Sequence, residues 1–305
     1  MRLPACRWRR VGSSNGDELT CVHPRVHCRG GRVTAGICGD CACREEQTED
    51  GLPRPSSADA AAADPLSAGP HAGEARAMTW CVGMTTAPRA RPTLERSLSS
   101  LIAAGWNQPR LFAEPHTSVP ANLSELAVTW RDRKLGAFPN WYLGLSELFL
   151  REPLADAYLM CQDDAIFAEG ARDYLEQDLW PAADVGVVSI YTPTHWSRGA
   201  PRGFHVETHG WASWGALAYV FPNKSLRALL AHPLLIEHRR LGPGDGLRNI
   251  DSVVGAWCQA AELPYFVHVP SLVQHIGETS TIWTTAGATG CRRASDFVTT
   301  IKEET

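Results

Sequence analysis

The chain has 305 residues, 44% of them hydrophobic and 20% charged, with a formal net charge of -4. That length suits one large domain or two smaller ones with a sizeable core. The charge balance gives no ground for a nucleic-acid partner, and no window supplies the run of about eighteen apolar residues that a transmembrane span needs.

Residues 1–43 read as a small Arg-rich, Cys-rich module with almost no apolar periodicity. Six of the ten cysteines lie here (Cys6, Cys21, Cys28, Cys38, Cys41 and Cys43), and Cys38-Gly39-Asp40-Cys41 forms a C-x-x-C knuckle. One knuckle is a weaker zinc signal than two. A tetrahedral site drawing on Cys21, Cys28, Cys38 and Cys41 is one reading, and an unligated tail is the other. Residues 44–77 contain Ser56-Ser57-Ala58-Asp59-Ala60-Ala61-Ala62-Ala63-Asp64-Pro65, which has little to bury, so a disordered linker is expected. The main domain is expected over 78–305.

In that domain Thr79 to Met84 reads as a buried first strand, broken by Thr85-Thr86-Ala87-Pro88. Leu94, Leu98 and Leu101 follow at helical spacing, with Gly105 as a stop. Leu111 to Ala113 suggests a second strand. Trp141, Leu145, Leu148 and Phe149 predict a helix over 140–150. Ala157 to Cys161 is the next strand and runs into Gln162-Asp163-Asp164. A helix over 170–179, strands over 185–190 and 216–221, helices over 224–230 and 252–261, and a strand over 265–269 complete the pattern. Strands that alternate with helices predict an α/β sandwich with a largely parallel sheet.

Three features carry chemistry. Asp163 and Asp164 directly follow an apolar strand, where open α/β sheets bind ligands. Paired carboxylates suit a hard divalent cation that also takes phosphate oxygens, although acids in a turn or at a helix start are common. His275 follows a Pro270-Ser271 turn and is a candidate transition-metal ligand or a buried core histidine. Asp251 stands at a helix start, where it reads equally as a general base and as an N-cap. Trp211 and Trp214 are candidate sugar-stacking rings in a chain with 11 tryptophans.

Taken in order, Val82-Gly83-Met84-Thr85-Thr86-Ala87-Pro88-Arg89, Asn140-Trp141, Met160-Cys161-Gln162-Asp163-Asp164, Trp214 to Phe221, Asp251 and His275 resemble GT-A type glycosyltransferases. The flavour is that of families 2 and 25 and of N-acetylglucosaminyltransferase-like groups, over residues 78 to about 290. The resemblance implies a GT-A, Rossmann-like three-layer sandwich. It implies a hexosyl- or N-acetylhexosaminyltransferase that moves a sugar from a nucleotide-sugar, UDP-linked in the first instance, to a hydroxyl of a glycan, lipid or protein. Thr85, Arg89, Asn140 and Asp163 would face the donor, and Trp211 and Trp214 the acceptor. Asp164 and His275 would hold Mn2+ or Mg2+, with Asp251 as the base of an inverting reaction and Zn2+ as a second metal for the N-terminal cysteines. Gln162 departs from the acid expected at the first motif position. With no apolar h-region near the N-terminus, the expected location is the cytoplasm or the inner membrane surface.

Two other functions compete. A non-catalytic sugar- or partner-binding module would tolerate Gln162. A nucleotidyltransferase would want a Gly-rich loop after the first strand, and Thr85-Thr86-Ala87-Pro88 has no glycine.

Overall fold

The computed structural model describes residues 77–123, 125–193, 200–207, 215–242, 244–247, 249–278 and 292–301, together with three short strands near the N-terminus. The chain divides into two compact units, Met1–His71 and Ala72–Thr305. In the first, β1 (Arg9–Val11), β2 (Leu19–Cys21) and β3 (Arg32–Val33) pair antiparallel in that order. Cys21 ends β2, whereas Cys28, Cys38, Cys41 and all but the last residue of the expected linker fall outside the described residues.

The second unit is built on an eight-stranded sheet. Its strands are β4 (Trp80–Thr86), β5 (Arg110–Ala113), β6 (Val128–Trp130), β7 (Ala157–Gln162), β9 (Val187–Ser189), β10 (Gly203–Val206), β11 (Ala218–Pro222) and β12 (Tyr265–Val269). Across the sheet they run β10-β12-β9-β11-β7-β4-β5-β6. A separate ribbon pairs β8 (Ala165–Phe167) antiparallel with β13 (Val273–His275). The described residues of this unit also form six α-helices: α1 (Leu94–Ala103), α2 (Ala137–Arg151), α3 (Ala171–Asp178), α4 (Asn223–Leu230), α5 (Pro233–Leu241) and α6 (Ile250–Ala260).

Strand alternation sorts the core into two layers. In β7, Ala157, Leu159 and Cys161 pack with Leu94, Leu98 and Leu101 of α1 and Leu175 of α3. Tyr158 and Met160 turn to the other face and meet Trp141 and Leu145 of α2, Leu226 of α4 and Val254 and Trp257 of α6. A period of two on strands and of 3.6 on helices thus yields the three-layer sandwich. Helix α2 lies close on the sheet because two glycines meet there. A Cβ at Gly83 or at Gly144 would come within 2.8 Å of the Phe112 ring.

Four of the seven neighbouring pairs are parallel (β7–β4, β4–β5, β5–β6 and β12–β9). β11 runs antiparallel to both of its neighbours and β10 antiparallel to β12. A strand buried on both faces, such as Ala-Tyr-Val-Phe-Pro, carries no sequence mark of its direction. The expected strand over 216–221 begins with a 3-10 turn (Gly215–Leu217), and α2 begins at Ala137 rather than residue 140. β6, β8, β10, β13 and α5 had no predicted counterpart. The four strands have only three or four residues, too few to display a period.

The chain leaves β4 for β5 and β6 on one side, then returns to β7 on the other. The carboxyl ends of β4 and β7 therefore flank a topological switch point, the place where open α/β sheets form a ligand crevice.

Candidate active site

Thr85 and Thr86 end β4, and Gln162 ends β7 beside Thr85 in the ladder. The next two residues, Asp163 and Asp164, make the turn into β8 and are 3% and 4% exposed. They are neither a solvated turn nor a helix cap. Ser97 of α1 fixes the turn by donating to the Asp163 carbonyl at 2.7 Å.

Two buried carboxylates side by side need compensating charge and donors. Thr86 Oγ1 donates to Asp163 Oδ2 at 2.6 Å. Arg89 donates to Asp163 Oδ1 from Nε at 2.8 Å and from Nη2 at 2.5 Å. The same Nη2 lies 2.9 Å from Asp164 Oδ2. His275 Nε2 reaches that oxygen at 3.2 Å, because the β8–β13 ladder sets His275 opposite Ala165. Asp164 Oδ1 and His275 Nδ1 are buried and have no hydrogen-bond partner among the described residues. A Cβ at Gly277 would lie 2.5 Å from Asp164 Oδ2 and 3.1 Å from the His275 ring.

The two acids diverge electrostatically. Burial pushes the Asp163 carboxyl above its ordinary range despite Arg89. Burial acts on Asp164 as well, but the His275 hydrogen bond and the Arg89 charge outweigh it and hold that carboxyl low. Asp164 is thus the more persistent anion of the pair.

Beyond these strand ends lies a cavity of about 550 Å³. Thr85, Arg89, Asn140, Gln162, Asp163 and Ile250 line it, with Glu114, His116, Asp132, Arg133 and Lys134 on the β5–β6 side. The volume is within the range of small-ligand sites, roughly 300–1,000 Å³. Glu114 is committed to structure, since its carboxylate accepts the N–H groups of Leu135 and Gly136. Asn140 is similarly engaged: its amide donates to Phe112 O at 2.9 Å and accepts from Arg131 at 2.8 Å.

Asp251 lies in the first turn of α6, but Asn249 occupies the N-cap position, with φ 59°. The Asp251 carboxylate reaches another element instead. Its Oδ1 accepts the Ala216 N–H at 2.7 Å, and the Tyr219 hydroxyl lies 3.5 Å away. Burial raises its pKa, opposed by the Ala216 donor. Ile250, its neighbour in sequence, faces the cavity.

Of the residues singled out from sequence, Thr85, Arg89, Asn140 and Asp163 share this cavity wall. Asp164 and His275 meet at one oxygen, and Asp251 lies at the α6 start. Trp211 and Trp214 fall outside the described residues. Sequence reasoning passed over Thr86, Ser97, Gly277, Arg133 and Lys134. Gly277, two residues after His275, was the one with a readable signal.

Asp164 and His275 fit a divalent ion in part. They present a carboxylate with one oxygen that has no partner among the described residues and an imidazole converging on the other, an open pair whose remaining positions would fall to ligand oxygens and water. Among the described residues no group of three or more His, Cys, Asp or Glu gathers. An ion there would share Asp164 with the Arg89 guanidinium.

No protein-family model matches the chain. No curated protein sequence matches it. Among the solved structures it resembles is a protein from Bacillus anthracis described as a glucose-1-phosphate thymidylyltransferase in complex with a sucrose. The TM-score is 0.39 at 11% identity, over 64% of this chain and 89% of that one. At those values the likeness assigns no residue a role.

Proposed function

We propose that the second unit is a metal-assisted glycosyltransferase that takes a nucleotide-sugar, with UDP as the first nucleotide to test. The observation that carries this reading is the junction of Arg89, Asp163, Asp164 and His275 at the wall of a ligand-sized cavity on the topological switch point. A nucleotide-sugar is an anion whose diphosphate must leave, and the cavity supplies cations at Arg89, Arg133 and Lys134. Asp164 and His275 would hold a divalent cation, which when bound neutralises charge on the leaving diphosphate.

The chain's own residues supply the rest. Arg89 orients the diphosphate while screening Asp163 from it. Thr86 fixes the Asp163 carboxylate, which would accept in addition from a ribose or sugar hydroxyl. Asp251 is the base. Oδ1 is committed to the Ala216 N–H, so an acceptor hydroxyl would deliver its proton to Oδ2. A carboxyl pKa raised by burial lies nearer the operating pH, which favours that transfer.

The test is nucleotide release from a panel of UDP-sugars with Mn2+, with and without candidate hydroxyl acceptors. UDP release that disappears in Asp164→Ala is the expected result. The competing nucleotidyltransferase would release pyrophosphate from a nucleoside triphosphate and a sugar-1-phosphate. Pyrophosphate release without any UDP-sugar turnover would replace the proposal with that one.

A further inference from the structure

At Gln162 an acid was expected and an amide stands. The residue ends β7, and its side chain runs toward the 3-10 turn Gly215–Leu217, where Nε2 lies 3.2 Å from the Ala216 carbonyl oxygen. A carbonyl oxygen only accepts, so the group facing it must be the amide N–H. The N–H of that same residue, Ala216, donates to Asp251 Oδ1 at 2.7 Å. Gln162 and Asp251 therefore grip one residue from opposite polarities: an amide donor on its carbonyl, a carboxylate acceptor on its N–H.

The turn is confined at its other residues too. A Cβ at Gly215 would strike the Tyr265 hydroxyl and lie 2.5 Å from the Tyr219 ring and 2.6 Å from Ser189 Oγ. Tyr265 donates to the Tyr219 hydroxyl at 3.0 Å. The Tyr219 hydroxyl in turn lies 3.5 Å from Asp251 Oδ1. Packing fixes where Gly215 lies, and Gln162 fixes how the Ala216 backbone is held. A glutamate at 162 would set an anion against the carbonyl, and a methionine of similar length would leave the carbonyl without its donor.

We propose that Gln162 is a positioning residue. Its amide fixes Ala216 and, through the Ala216 N–H, the carboxylate of Asp251, coupling the donor-cavity wall at the end of β7 to the base on α6. The amide is then a requirement of this site rather than a lost metal ligand. This inference rests on the assignment of Asp251 as the base.

The experiment compares wild type with Gln162→Met and Gln162→Glu in the full chain, by amide hydrogen exchange at Ala216 and by nucleotide-sugar turnover. Thermal melts identify any variant that fails to fold, and the methionine variant is the conservative one. Exchange at Ala216 is expected to accelerate about tenfold or more in both variants, as one anchoring hydrogen bond is lost. The kcat for transfer is expected to fall roughly 100-fold, more than donor affinity falls, because a misplaced base costs rate rather than binding. The acidic limb of the kcat profile is expected to move to higher pH, since Asp251 loses a firmly held donor. A merely structural role would lower the melting temperature and leave that limb in place. Unchanged exchange at Ala216 in Gln162→Met overturns the clamp, whatever the protein's activity. Faster exchange with unchanged kcat overturns the positioning role. If wild type turns over no nucleotide-sugar, the transferase reading fails by itself, and the exchange rate still decides whether Gln162 holds Ala216.

Discussion

Arg89 is the residue on which the site's electrostatics turn. It is the cation between two buried carboxylates, and removing one partner of such an arrangement leaves uncompensated buried charge. Arg89→Ala should therefore destabilise the fold by about 3–5 kcal/mol in urea unfolding at neutral pH. The pH dependence of stability should change as well. In wild type, Asp164 titrates low, so its stabilising contribution is present above the ordinary carboxylate range and is lost as the pH falls through its folded value. Without the guanidinium Asp163, already raised by burial, loses its main opposing charge and rises further, whereas Asp164 keeps the His275 hydrogen bond. The native state then holds a proton on Asp163 at higher pH than the unfolded chain does, so acid should destabilise the variant less than it destabilises wild type. Gly277→Ala disturbs the same carboxylate. Its Cβ would lie 2.5 Å from Asp164 Oδ2 and 3.1 Å from the His275 ring, so these buried groups must shift. Mn2+ affinity should fall about 10-fold or more in a calorimetric titration, and the melting temperature should fall with it. The doublet Asp163-Asp164 and His275 were legible in sequence because strand ends and Pro-Ser turns are local signals. Gln162 and Asp251 were legible only as candidates. Both act through Ala216, 54 and 35 residues away, and such a distance leaves no local trace.

Among the elements, β12 carries a histidine with no place in the proposed chemistry. His268 is fully buried, with Nε2 2.8 Å from the Tyr174 hydroxyl and Nδ1 2.7 Å from the Pro270 carbonyl. Burial lowers its pKa to about 4 from 6.5, against the opposing pull of the Pro270 carbonyl. The unfolded chain binds a proton in that window and the folded chain does not. Stability should thus be complete above about pH 6.5 and decline by a few kcal/mol as the pH falls toward about 4. His268→Phe should flatten that part of the curve in denaturant titrations. The α2–sheet contact gives a second test. Gly144→Val would drive two methyls toward Phe112 and Met160 and should cost roughly 1–3 kcal/mol or more. Long buried strands and helices announced themselves by period and length. The short pieces that bring His275 to Asp164, β8 and β13, did not, because three residues contain no repeat.

At the scale of the whole molecule, one topological fact organises the site. The chain passes from β4 outward to β6 and back to β7, so the sheet opens at the junction where Thr85, Thr86 and Gln162 end their strands. The α/β class was readable from the alternation of elements. The antiparallel placement of β11 between β7 and β9 was not, since it depends on long-range pairing. That placement sets the Gly215–Leu217 turn beside Gln162 and so connects the cavity wall to Asp251. A ligand that binds only the folded unit stabilises it by mass action. UDP at about 100 times its Kd with Mn2+ should contribute about 2.7 kcal/mol and raise the melting temperature by several degrees, and UDP with a chelator should do so much less. The most direct measurement is a crystal structure with Mn2+ and UDP, using the anomalous signal of the metal. The proposal predicts one manganese peak coordinated by Asp164 and by His275 Nε2, with the UDP diphosphate beside Arg89 in the cavity. Manganese bound without these two residues, or UDP bound outside the Thr85–Asp163 cavity, would contradict it.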